Sequence, residues 1–222
     1  MTPREDGLSL YKSGLYQDAL DAFLSEDIDP VEDPELSYLM GLCYTRLNEY
    51  NAAIFYLEKS LEYDPSFIRV YQTRMVLSYI YNLTGNYSGS ENQLRKIIDD
   101  GFESSQVFTS LGFSLWNQGK IQDSLDFLTR SLELDPENPN TLNSLGYIMA
   151  EEGINPEKAE EYCRKAVSLN PINPNYLDSL AWALFRIGKY GEAREYLKRA
   201  LDEDDDPVFR DHLSTVNRYD KI

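Results

Sequence analysis

Residues 175–202 read NYLDSLAWALFRIGKYGEAREYLKRALD, and two helices with a hinge between them are legible in the spacing. Leu177, Leu180, Ala181 and Leu184 fall at i, i+3, i+4 and i+7, one face of a helix with 3.6 residues per turn. Gly188 then sits where a helix must stop, because glycine reaches positive φ without a Cβ penalty. Ile187-Gly188-Lys189 is therefore expected to be a tight turn. Tyr190, Ala193, Leu197, Ala200 and Leu201 mark the matching face of a second helix. Ala181 and Ala193 lie mid-stripe, and helices approach closely only where side chains are small, so these predict the crossing point.

The same unit recurs toward the N-terminus. Turn residues align as Gly14, Asn48, Gly85, Gly119, Gly153 and Gly188, in steps of 34, 37, 34, 34 and 35 residues. The small residue of the first helix is Gly7, Gly41, Ser78, Gly112, Gly146 and Ala181 in turn. That of the second is Ala19, Ala53, Ser90, Ser124, Ala159 and Ala193. Pro65, Pro136, Pro171 and Pro207 are placed to end second helices. Three interlocking columns at one period predict an array of helix hairpins.

Composition agrees with an all-α reading. Hydrophobic residues make up 42% of the 222, enough for a core, and they fall at helical spacing rather than in alternating runs. The net charge of −17 disfavours nucleic acid and anionic lipid surfaces, since like charges repel. Cys43 and Cys163, far apart within helical patterns, are expected to be unpaired buried thiols. The opening MTPREDGLSLYKSG lacks the apolar run of a secretory signal, and no stretch approaches the ~18 apolar residues of a spanning helix. A cytoplasmic location without membrane insertion is expected; a periplasmic or exported one would need a leader missing from the numbered chain.

These columns resemble the tetratricopeptide (TPR) repeat. The motif stands as Leu111-Gly112, Leu115, Gly119, Ser124, Leu128, Ser131 and Pro136 in the fourth copy. In the sixth it is Leu180-Ala181, Leu184, Gly188, Tyr190, Ala193, Leu197 and Ala200. The resemblance implies a right-handed superhelix, an α-solenoid with first helices lining its concave face, and a docking role rather than chemistry. The expected organisation is an atypical N-terminal repeat at 1–33, repeats at 34–67, 68–104 (with an insertion), 105–138, 139–173 and 174–207, and a C-terminal capping helix at 208–222. In the first copy a short, acidic second helix is expected from Asp18 to Glu26. In the third, the polar stretch Asn82 to Asn92 is expected to be a loose loop. Leu213-Ser214 occupy the Leu-small slots of the cap, and Asp202 to Asp206 reads as a solvated linker.

Support for enzymatic chemistry is thin. The single histidine, His212, has no partner pattern and reads as a surface or capping residue; no cofactor or metal motif appears. The groove face is more informative. Asp178, Trp182 and Phe185 form a stripe beside the core stripe, and by the TPR resemblance it looks into the groove. The position after the small slot holds Leu8, Leu42, Tyr79, Phe113, Tyr147 and Trp182 in successive copies. One turn on lie Tyr11, Thr45, Asn82, Trp116, Ala150 and Phe185. An aromatic ladder is thus expected. Its candidate peptide-binding residues are Leu42, Tyr79, Phe113, Trp116, Asn143, Tyr147, Asp178, Trp182 and Phe185, with asparagines at the margin free to bond a peptide backbone. The same rings can instead pack between adjacent first helices and stiffen the array. Of the basic and amide positions by which one TPR subclass grips a terminal carboxylate, only Arg4 matches. The expected function is a non-catalytic scaffold for a protein or peptide. The alternatives are end-to-end self-assembly as a homo-oligomer and an accessory role in a larger enzyme complex.

Overall fold

The computed structural model describes residues 2–63 and 66–219; Pro65 and the last three residues of the expected cap lie outside that range. Thirteen helices, and no strand, are present among the described residues. They group into two compact units, 1–102 and 103–222.

The first unit contains α1 (Pro3–Lys12), α2 (Tyr16–Leu24), α3 (Pro34–Arg46), α4 (Tyr50–Tyr63), α5 (Phe67–Leu83) and α6 (Tyr87–Asp99). They pack as the hairpins α1/α2, α3/α4 and α5/α6, with α2 leaning on α3 and α4 on α5. The second unit contains α7 (Ser105–Trp116), α8 (Ile121–Leu134), α9 (Pro139–Glu151), α10 (Pro156–Leu169), α11 (Pro174–Arg186), α12 (Tyr190–Glu203) and α13 (Pro207–Tyr219). Here α7, α9, α11 and α13 also touch in succession, so first helices stand side by side.

Local chemistry explains the element ends. Asp33, Asn138 and Asn173 accept backbone N–H bonds from the first turns of α3, α9 and α11, and a proline follows each at the first helical position. First helices end in a reversal of one kind: in the sixth pair the Lys189 N–H donates to the Leu184 carbonyl at 2.9 Å while Gly188 holds φ +80°. Asn48 occupies that conformation in the second pair (φ +61°), using the tolerance of asparagine for left-handed backbone. Close approach accounts for the small columns. A Cβ on Gly146 would lie 2.9 Å from both the Ala159 carbonyl oxygen and the Cys163 backbone nitrogen, and one on Gly112 2.6 Å from Leu128.

Several expectations are corrected. The polar stretch 82–92 is almost wholly helical. Only Thr84 to Asn86 turn, because Gly85 (φ +75°) closes α5 and the Asn86 side chain caps Gly89 N–H at 3.0 Å. The second helix of the first pair begins at Tyr16, two residues earlier than expected, and ends at Leu24. Of the acidic linker, Asp202 and Glu203 belong to α12. Asp205 pairs with Arg210, and Asp206 caps the Val208 N–H at 2.7 Å, so Pro207 opens α13 instead of closing α12. Gly101 (φ +89°) ends α6 with the Phe102 N–H on the Ile97 carbonyl, a reversal that α8, α10 and α12 lack and that was not among the expected turns.

Both cysteines are free and buried. Burial pushes the Cys43 thiol up to about 12 and the Cys163 thiol up as well, leaving both as poor nucleophiles. No helix among the described residues is long and apolar enough to cross a membrane.

Candidate functional site: an aromatic recess in the second unit

The face made by α7, α9 and α11 carries a recess of about 240 Å³. Phe113 and Trp116 from α7 and Tyr147 from α9 supply its rings; Asn143 and Asp178 stand among them, and Phe209 of α13 closes one end. Five of the nine predicted site residues thus meet in one place: Phe113, Trp116, Asn143, Tyr147 and Asp178. Phe113 is 39% exposed although aromatic. Trp116 and Tyr147 meet edge to face, centroids 5.6 Å apart at 89°. The Trp116 indole N–H donates to Glu152 at 3.0 Å, which fixes the ring. Burial first, and then the Glu151 and Asp178 carboxylates, push the Tyr147 hydroxyl up to about 12. The Asn143 Oδ1 is buried and accepts no hydrogen bond, a state that favours arrival of a donor.

The other four predicted residues lie elsewhere. Leu42, on α3, is half-buried in the first unit, and Tyr79, on α5, is 56% exposed there. Trp182 and Phe185, on α11, are covered by α13. Trp182 stacks on the His212 ring at 4.3 Å, and Phe185 meets Tyr219 edge to face at 5.2 Å. The Trp182 indole N–H also donates to Glu151 at 2.7 Å. Both rings thus pack against α13 while remaining partly exposed.

His212 is the clearest correction. It is buried, with Nδ1 2.8 Å from the Asp178 Oδ1. The sequence shows no partner pattern because the partner lies 34 residues back on another helix. Asp178 therefore serves two places, lining the recess and anchoring α13. Among the recess residues outside the predicted set, Val208 and Phe209 belong to the segment expected only as a cap and Asp206 to the expected linker. Phe209, His212 and Val216 at helical spacing were the available signal. Leu213 is half-buried against the core of the second unit, whereas Ser214 is exposed.

In the first unit, Arg4 bonds Glu26 (2.7 Å), Asp33 (2.6 Å) and Glu35 (3.2 Å). Three carboxylates already occupy the one position that matched a carboxylate grip. Arg46 reaches the Tyr11 hydroxyl at 3.4 Å, and Arg69 pairs with Glu35 at 3.5 Å.

The tetratricopeptide repeat family matches at residues 34–67, 142–173 and 174–207. The anaphase-promoting complex subunit CDC16 of Saccharomyces cerevisiae is 30% identical over 119 residues, 52% of this chain and 14% of that protein. The BBSome complex member BBS4 of Bos taurus is 24% identical over 145 residues, 65% of this chain and 27% of that protein. The chain thus spans about a quarter or less of the length of these two relatives. Among solved structures, the APC/C hetero-tetramer Cut9-Hcn1 superposes with a TM-score of 0.81 at 18% identity, over 97% of this chain and 42% of that one, a likeness of fold. With the hairpin columns, the glycine reversals and the three matched segments together, the chain is a tetratricopeptide-repeat protein, an all-α scaffold for protein interaction.

Proposed function

We propose that the second unit binds a segment of a partner polypeptide in the recess walled by Phe113, Trp116 and Tyr147, and that the protein works by docking, without catalysis. The observation that carries this reading is Phe113, a large apolar ring left 39% exposed at the mouth of a concave site whose neighbouring rings are fixed. Rigid aromatics in a pocket lose little side-chain entropy on binding and act as anchors. His212, the one histidine, is engaged in holding α13 to Asp178, which speaks for a structural role. The two buried free thiols fit a reducing, cytoplasmic compartment.

Immobilised wild-type chain and Phe113→Ala, exposed to the same cell extract, test this. A polypeptide retained by the wild type and lost with the variant, at equal helicity and melting temperature, is expected. Equal retention by both would refute the recess as the docking site. A second reading, membership in a larger multi-protein assembly, is favoured by the two relatives named as members of complexes. Co-migration of the native chain with other subunits in size-exclusion chromatography is the corresponding expectation; migration as a single chain would count against it.

A further inference from the structure

The recess is aromatic and acidic together. Trp116 and Tyr147 present a corner of ring faces and edges, and the electron-rich face of such rings attracts cations. Asp178 and Asp206 line the same space. Asp206 accepts the Val208 N–H through Oδ1. Glu151 and Glu152 stand next to the site, holding the indole nitrogens of Trp182 and Trp116. No lysine, arginine or histidine is among the residues that line it.

We propose, building on the reading of the recess as a polypeptide-binding site, that it receives a lysine or arginine side chain and that the partner segment is basic. Charge complementarity singles out this occupant. The chain carries −17 overall, so a basic segment is drawn toward it and an acidic one repelled. Asp178 is already bonded to His212, but an aliphatic or neutral side chain would cover the rings and desolvate the Asp206 carboxylate without bringing it a counter-charge. At about 240 Å³ the space falls below the ~300–1,000 Å³ of pockets that enclose whole small molecules, and suits one long side chain whose backbone runs on outside.

Selection of short random peptides on the full chain, in parallel with selection on Phe113→Ala, separates the possibilities. Enrichment of Lys or Arg at one fixed position, on the wild type only, is the expected result. A synthetic peptide of that sequence should lose about tenfold in affinity when its basic residue becomes Gln. It should lose a few-fold against Asp206→Asn, which keeps the helix cap because asparagine caps as well as aspartate. Wild-type-specific enrichment of neutral, apolar or acidic residues at that position would overturn the cationic occupant while leaving polypeptide docking intact. Pools that are the same on wild type and Phe113→Ala, with both proteins equally helical, would overturn both.

Discussion

At Asp178 and His212 two polar side chains are buried and joined by a single 2.8 Å contact. Removing one partner leaves the other desolvated and unpaired, which costs more than the bond itself contributes. His212→Ala should therefore lower the stability of the second unit by about 1–3 kcal/mol, read from urea unfolding followed by Trp fluorescence. A change no larger than that of an exposed substitution would show the pair to be incidental. Asp33 is the corresponding residue of the first unit. Burial alone would raise its carboxyl, but the Leu36 N–H, Arg4 and the Glu35 N–H outweigh it, and the group titrates below its ordinary value. A depressed folded-state value means stability that is complete above the unfolded-state pKa of about 3.9 and is lost as pH falls through the folded one. Acidification below about pH 4 should accordingly weaken the N-terminal pairs, and less so in Arg4→Gln. Urea midpoints against pH for the two proteins check this, and parallel curves would contradict it.

Between elements, separation is what the small residues set. Gly146 lets α9 lie against the backbone of α10, with no room for a Cβ beside the Ala159 carbonyl and Cys163. Gly146→Ala should cost about 1–3 kcal/mol, since the obstructing atoms include backbone that cannot rotate away. Gly191 is also helical, on α12, yet nothing lies within 4 Å of its would-be Cβ. Gly191→Ala should stabilise by up to about 1 kcal/mol, through helix propensity and a less flexible unfolded chain. Opposite signs for the same substitution, measured in denaturant, are the expectation; matching signs would remove close approach as the reason for the glycine column. Cap chemistry belongs to this scale as well. The capping residues Asp33, Asn138 and Asn173, each followed by proline, and the glycine reversals at first-helix ends were all readable from adjacent residues, because each works over one turn.

For the molecule as a whole, 38 acidic against 21 basic residues make the surface self-repelling. Raising salt from roughly 10 mM to 150 mM shortens the screening length from about 30 Å to about 8 Å. The melting temperature should rise over that range as the repulsion is screened, and calorimetry reads it directly. A fall would mean that local pairs such as Arg4 with Glu26 and Asp33 outweigh the net charge.

The repeat period, the helix faces, the turns and the free thiols were determined by the sequence alone, because each depends on residues within a few turns of one another or on composition. Phe113, Trp116 and Tyr147, which line one recess in the second unit, were legible too, because the repeat period relates their positions. What tertiary structure decided is which rings remain open. Phe113 does, whereas Trp182 and Phe185 lie under α13, held by His212 on an aspartate 34 residues away. The spacing of Phe209, His212 and Val216 marks a buried face of α13 but does not name its partner, because the His212–Asp178 contact is made between helices 34 residues apart.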